Sequence, residues 1–474
     1  MKKVELAIVG AGPAGIHAAL QANEAGLNTV VVDSNPRPGG QYYKQLPPDF
    51  GGKPQKVVEQ EGSFLVGLLE STSVEIFPNT LVWGVFPASR GEGWLLNLYG
   101  EGAPKQIQAH SLILATGAYD TPIPFPGWTL PGVMTAGAGL IFVKNQRLMP
   151  GKRALLTGTG PLQLALASSL IHAGVEVAMV LEASQPFPKA FRYAPAMITQ
   201  WSRILEGVDY GFTMLRVRVP YRMGWAVIEA RGDGQVEEAV VARMDNEWHP
   251  LRGTEQVVQV DTIFSGYTVK PNNFLGRMMG CEFRPDHQQG GLVPVRDEWM
   301  QTSLPGVYLA GDAAGIGGAE LARVEGKVAA VAAAVRAGRF SEKDAKPFFR
   351  RMRGQIRRQK RFAHLLSELF TPQPEVISLA DDDTIICRCE DVSLGDIRKV
   401  IAEGARTVND IKVLTRCGMG NCQGRNCELS IARILVQELG ASGVTFDEVG
   451  SFRVRPPLHP LPVSVLADSL ETEG

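Results

Sequence analysis

A chain of 474 residues is too long for a single hydrophobic core, and about three domains are expected from its length. With 45% hydrophobic and 20% charged residues it has an ordinary globular composition, neither disordered nor fibrous. The formal net charge of −1 gives no overall pull toward nucleic acid or anionic lipid, and no apolar run approaches the ~18 residues that span a bilayer; a cytoplasmic chain without a transmembrane segment is expected.

The chain begins with an apolar run, Leu6 to Val9, that turns through Gly10-Ala-Gly12-Pro13-Ala14-Gly15 into a stretch of helix formers. A β-branched segment, Thr29 to Val32, follows and ends on Asp33, 18 residues past Gly15. Strand, glycine turn, helix, strand and acid in that order spell a dinucleotide-binding βαβ unit. Gly10 serves the tight turn, Gly12 the approach to a pyrophosphate, and Gly15 close helix–strand packing, with Asp33 expected on ribose hydroxyls. Ser34 follows, and then a Pro/Gly segment containing Gly39, Gly40 and Gln41, whose glycine pair would let backbone lie against a flat ligand or its phosphates.

Ser111 to Gly117 reads as a buried strand running into a Thr116-Gly117 turn, and Pro122, Pro124, Pro126 and Pro131 then mark a crossing between domains. A second βαβ unit begins at Lys152. It supplies Gly158 and Gly160, places Gln163 where the third glycine would be, and ends on Glu182. No arginine or lysine closely follows Glu182, which disfavours NADP. Short strands are expected from about Gly207 to Gln259, with a hairpin at Gly232-Asp-Gly234. Val307 to Leu309 forms another strand leading to Gly311-Asp312, and an Ala-rich helix is expected from Ala319 to about Arg336.

Eight basic residues between Lys346 and Arg361 read as a solvated helix face or one docking on an acidic partner. Thr371-Pro-Gln-Pro and Asp381-Asp-Asp383 read as a linker, and the tail Arg455 to Pro462 as an extended segment lying on another surface. Five of six cysteines lie between Cys387 and Cys427, which in a cytosolic chain points to metal or redox chemistry. Cys387-Arg-Cys389 is followed, after 27 intervening residues, by Cys417, Cys422 and Cys427. Four thiolates close a [2Fe–2S] cluster, and Gly418, Gly420 and Gly424 would give the loop room around it. Structural zinc is the competing reading, although zinc sites favour wider spacing than CxC. Leu394–Ile401 and Val408–Val413 read as short helices, the first capped by Ser393.

Gly10–Asp33, Ala115-Thr116-Gly117 and Gly311-Asp312 together resemble the two-dinucleotide-binding flavoproteins that include the thioredoxin and glutathione reductases. The resemblance implies FAD, with Asp312 on the flavin's sugar chain, Thr116-Gly117 near the cofactor from the far side, and a nicotinamide-type domain around Gly158 to Glu182. The inserted domain has no CxxC, so a dithiol relay is absent; Cys281 stands alone as a small hydrophobe. The segments CRCEDV and TRCGMGNCQGRNC resemble the bacterioferritin-associated-ferredoxin type of [2Fe–2S] domain, as joined to flavoprotein cores in the α (A) subunits of opine oxidases, hydroxyproline dehydrogenases and hydrogen cyanide synthase. That likeness implies Cys387, Cys389, Cys422 and Cys427 as ligands, with Cys417 a fifth candidate.

The fold expected is therefore α/β: two Rossmann-like dinucleotide-binding domains, the second inserted in the first, plus a small C-terminal helical [2Fe–2S] domain. Boundaries are placed at 1–125 with 286–345, 126–285, 346–380, 381–440 and 441–474. The function implied is that of a flavin and iron–sulfur electron-transfer subunit in an amino-acid or opine dehydrogenase. A flavoprotein β subunit would be its partner. Further implications are FMN at an interface between subunits and a small ferredoxin-like subunit, with NAD or ATP as alternative nucleotides. A self-contained NADH-dependent reductase is the alternative, and an assembly scaffold a third. No catalytic base or nucleophile stands out, and the seven histidines are scattered.

Overall fold

The structure, a computed structural model, describes residues 1–46, 57–88, 91, 93–186, 201–440 and 443–470. Two compact units emerge: 1–118 with 270–363 and 453–474, and 119–269 with 364–452. The divisions fall at 118/119 and 269/270, ahead of the expected 125/126 and 285/286.

In the first unit, strand Lys2–Val9 sits at the centre of a sheet with Thr29–Val32 on one side and Gln106–Leu114 on the other, all parallel. Glu75–Phe77 extends the first side, and Val307–Leu309 runs parallel to the end of Gln106–Leu114. A strand covered on both faces needs apolar residues in succession, and Leu6, Ala7 and Ile8 are fully buried. Helix Pro13–Glu24 buries Ala14, Ile16, Ala18, Ala19 and Ala22 against helix Ala319–Arg336, which is alanine-rich in turn. Small side chains permit this approach: a Cβ on Gly326 would stand 2.1 Å from the Ala14 carbonyl oxygen. The tail Arg455–Pro462 lies on this unit, where the Leu458 amide donates to the Trp83 carbonyl at 2.9 Å.

The second unit carries a parallel sheet in the order Tyr221–Met223, Glu176–Glu182, Arg153–Gly158, Thr262–Gly266, Val133–Thr135. Beside it is an antiparallel meander of Trp225–Arg231, Glu238–Arg243 and Gln256–Gln259, its first turn at Gly232-Asp-Gly234. Residues 374–379, joining the two stretches read as linker, form a 3-10 turn. Val376 and Leu379 enter the core of the preceding domain, and Ile377 enters that of the cysteine region. The cause is composition: three aliphatic residues in a row of six outweigh the flanking prolines once a groove is present to bury them.

The cysteine region is a small hairpin, Ile385–Cys387 with Val392–Ser393, followed by helices Leu394–Ala402, Val408–Thr415 and Glu428–Leu439. Ser393 and Thr407 each form a capping box, with Asp396 and Asp410 returning the bond, a contribution of about 1 kcal/mol each. The basic segment lies on helix Glu342–Phe370, which buries Met352, Ile356, Phe362 and Leu365 and leaves Arg350, Arg351, Arg353, Arg357 and Arg358 exposed.

Candidate functional site

Three distant pieces of the first unit meet at the first glycine turn. A Cβ on Gly10 would lie 2.4 Å from the Ala115 oxygen, one on Gly40 2.7 Å from Gly12 Cα, and one on Gly311 3.0 Å from Ala14 Cβ. Gly15 is the tightest, 1.8 Å from the Gly10 oxygen, so helix and strand touch as expected. Gly12 is different. Among the described residues, nothing but Gly40 Cα, at 3.8 Å, stands within 4 Å of its Cβ direction, so the backbone faces open space at the N-terminus of helix Pro13–Glu24. That cradle, with free amides behind it, fits a cofactor pyrophosphate. Gly39 and Gly40 pack against the glycine turn itself, the Gly39 amide donating to the Ala11 carbonyl at 2.8 Å, so they shape the cradle from behind.

Asp33 is buried, and one carboxylate oxygen accepts from the Ala11 amide while the other accepts from the Asn35 amide and side chain at 2.7 and 2.8 Å. It therefore braces the turn. Ser34 and Gln41 are exposed at the rim. Thr116 donates through its hydroxyl to the Asn272 carbonyl, and the Asn272 amide donates to the Gly117 carbonyl at 2.8 Å, which fixes that turn. Asp312 accepts at Oδ1 from the Gly317 and Gly318 amides, both at 3.0 Å, leaving Oδ2 without a hydrogen bond among the described residues. Burial pushes its carboxyl above the ordinary range despite those two bonds.

Two residues not foreseen from sequence hold this arrangement. Glu325, fully buried, accepts from Arg296 at 2.7 and 2.9 Å and from the Gly311 amide at 3.0 Å. An acid inside an otherwise alanine-rich helix was the available signal.

The second glycine turn follows the same plan with a different result. Glu182 is fully buried, accepting from the Gly160 amide at 2.8 Å and the Ser184 amide at 3.0 Å. Burial raises its carboxyl above the usual range. Where Gly12 faces open space, the Cβ direction of Gly160 meets the Phe370 side chain at 3.5 Å. Gln163 is 1% exposed, with neither amide atom hydrogen-bonded among the described residues, and it lies beside Gly266. Gly158, Gly160 and Glu182 thus come together at one turn, with the Phe370 side chain beside it.

In the cysteine region the Sγ atoms of Cys387, Cys417 and Cys427 lie within 4.8 Å of one another, all buried. Hydrogen bonds from Cys417 and then Cys427 hold the Cys387 thiol far down, to about 2, and the same bonds push the two donors up. Exposed Cys389 pairs with Cys422. Arg425 donates to the Cys422 carbonyl at 3.1 Å. Sulfurs gathered in two groups, with a guanidinium close by, fit a thiolate-bound [2Fe–2S] group. The loop glycines have a different task from the one expected. Gly418 and Gly424 are pressed by the Phe452 ring, at 2.6 and 2.4 Å from their Cβ directions, and Gly420 by Cys389 Cβ at 2.3 Å. Gly418 and Gly424 also adopt positive φ, +83° and +79°.

Residues 4–338 match the family described as pyridine nucleotide-disulphide oxidoreductase, and 382–469 match the sarcosine oxidase A3 domain. The chain belongs to the first of these families. This oxidoreductase is 33% identical over 472 residues to the A subunit of opine oxidase from Agrobacterium tumefaciens, covering 98% of this chain and 91% of that one. It is equally 33% identical over 476 residues to the HcnB subunit of hydrogen cyanide synthase from Pseudomonas aeruginosa, covering 98% and 99%. The L-proline dehydrogenase of P. horikoshii superposes with a TM-score of 0.70 over 98% of this chain and 79% of that chain, at 22% identity, a likeness of fold. The oxidoreductase is an FAD-dependent flavoprotein of the A-subunit type. No helix among its described residues is long and apolar enough to cross a membrane.

Proposed function

We propose that this chain is the flavin and iron–sulfur electron-transfer subunit of an amino-acid or opine dehydrogenase, taking electrons from a partner flavoprotein and passing them to an external acceptor. FAD, when bound, accepts electrons in pairs and releases them singly, and a [2Fe–2S] group carries one at a time. The chain's own residues bind and brace. Gly12 and the helix behind it receive the pyrophosphate, Asp312 Oδ2 is left for a sugar hydroxyl, and Asn272 fixes the turn at Thr116-Gly117. Cys387, Cys389, Cys422 and Cys427 would hold the cluster. FAD is favoured over NAD or ATP by the meeting of all three segments at one turn. FMN at a subunit interface and a small ferredoxin-like subunit belong to the same reading.

The observation that carries the proposal is Phe370 over Gly160. The reading as a self-contained NADH reductase needs that turn open, and the Phe370 side chain stands 3.5 Å from the Cβ direction of Gly160, which speaks against it. The name "subunit" in the opine oxidase and cyanide synthase relatives supports a heteromeric assembly. The test is anaerobic mixing of the chain, alone and co-purified with its partner, first with NADH and then with a panel of secondary amines and amino acids. Bleaching of the flavin by an amine only in the complex, and none by NADH, is expected. Rapid bleaching of the isolated chain by NADH would overturn the proposal.

A further inference from the structure

The cysteine region holds one sulfur more than a [2Fe–2S] group takes. Such a group needs four thiolates, two on each iron. Cys389 and Cys422 form one pair. The other group has three members, Cys387, Cys417 and Cys427, exposed by only 2%, 0% and 1%. Their sulfurs are mutually within 4.8 Å, so none is set apart from the other two by distance.

The backbone explains why Cys417 is there. Helix Val408–Thr415 ends on Arg416 at φ +65°, and Gly418 follows at +83°. Two left-handed residues on either side of Cys417 turn its side chain inward, and its amide donates to Thr415 Oγ1 at 3.2 Å. Phe452 then presses on both Gly418 and Gly424. One ring thus anchors the segment entering from Cys417 and the segment leaving toward Cys427. The Phe452 amide is itself held by Glu428 at 2.8 Å, directly after Cys427. A cysteine serving only as a small buried hydrophobe, as Cys281 does against Thr302, requires none of this convergence on other thiols.

We propose that Cys417 and Cys427 are interchangeable ligands, either of which can complete, with Cys387, the inner iron of the cluster. The inference rests on the iron–sulfur reading above. The consequence is a site that survives loss of one inner thiolate and does not survive loss of an outer one.

The experiment uses the full chain purified without oxygen, with iron and acid-labile sulfide content and the EPR spectrum of the reduced protein as readouts. Cys417→Ala and Cys427→Ser are each expected to retain wild-type iron, with Cys427→Ser showing shifted g values. Cys417→Ala combined with Cys427→Ala, and Cys389→Ala alone, are each expected to lose more than about nine-tenths of the iron. Far-UV circular dichroism and bound flavin report whether each variant folds, and Cys427→Ala provides a second form of the same deletion. Loss of iron from folded Cys427→Ser and Cys427→Ala, or from Cys417→Ala, overturns interchangeability. Retention of iron by the double variant overturns it too. Wild type without iron would overturn the iron–sulfur reading and this inference together, whereas iron in wild type but not in Cys427→Ser overturns only the inference.

Discussion

The two glycine turns of this oxidoreductase share a plan but differ in backbone and in surroundings: the N-cap glycine has φ −78° at Gly12 and +87° at Gly160, and Gln163 stands where the first turn has Gly15. In both, an acid after the second strand reaches back to a turn amide: Asp33 to Ala11, and Glu182 to Gly160 at 2.8 Å. Both helices start with proline behind a glycine N-cap. Yet Gly12 faces open space and Gly160 faces Phe370. The motif specifies how strand and helix meet, while a side chain far along the sequence, Phe370, sets what packs beside the second turn. A glycine fingerprint is a statement about packing first and about binding second.

Exchanging the third residues would break the comparison most severely. Gly15→Gln drives a side chain into the Gly10 carbonyl, 1.8 Å from its Cβ direction, at a cost above about 3 kcal/mol. The expected outcome is loss of bound flavin, read from the absorbance ratio at 450 and 280 nm (roughly tenfold down), while Gln163→Gly leaves flavin content unchanged. Wild-type flavin in Gly15→Gln would refute the close-packing account.

The next effect concerns what braces the first turn. Glu325→Ala leaves Arg296 buried without its carboxylate and the Gly311 amide without an acceptor, a loss of about 3–5 kcal/mol. A urea midpoint within error of wild type would show that the turn holds itself.

His17, on the first helix, sharpens the comparison through pH; the second helix carries Ala165 in the matching place. Burial, then Lys327 and Arg323, lowers the His17 pKa from 6.5 to about 4. The unfolded chain therefore binds a proton that the folded chain refuses between those values. Stability is fully present above about pH 6.5 and falls by about 2–3 kcal/mol as pH drops to 4. In His17→Gln that part of the slope should vanish, as followed by denaturant midpoints at pH 7, 5.5 and 4.5.

The smallest change is expected at Gln163. Its two amide atoms are buried without partners among the described residues, so Gln163→Leu removes an unmet polar group at nearly constant volume and should raise stability by about 1 kcal/mol. A drop instead would mean that the amide is satisfied by water.

Much of this was legible from local pattern. The helix at Ala319–Arg336 and the Ser393 cap were readable because glycine, alanine and serine act within a few residues of themselves. The set of clustered cysteines was readable from spacing, but their grouping was not, since spacing names residues and only the fold decides which sulfurs meet. Phe370 over Gly160, Glu325 under Gly311 and Phe452 between two glycines are contacts across long stretches of chain, and no local periodicity encodes them. The packing of segment 374–379 was not legible for a related reason: the prolines at its start are visible in sequence, and the groove that takes its aliphatic residues is not.

The Trp128 indole donates to the Ile385 carbonyl at 2.6 Å, and Val376 and Leu379 sit in the core built around Trp128. A fragment starting at residue 381 would leave that indole proton without its acceptor and uncover the aliphatic groove. The cysteine region is thus no detachable cartridge. Any transplant into another flavoprotein has to carry the docking strip ahead of it and the tryptophan that receives it.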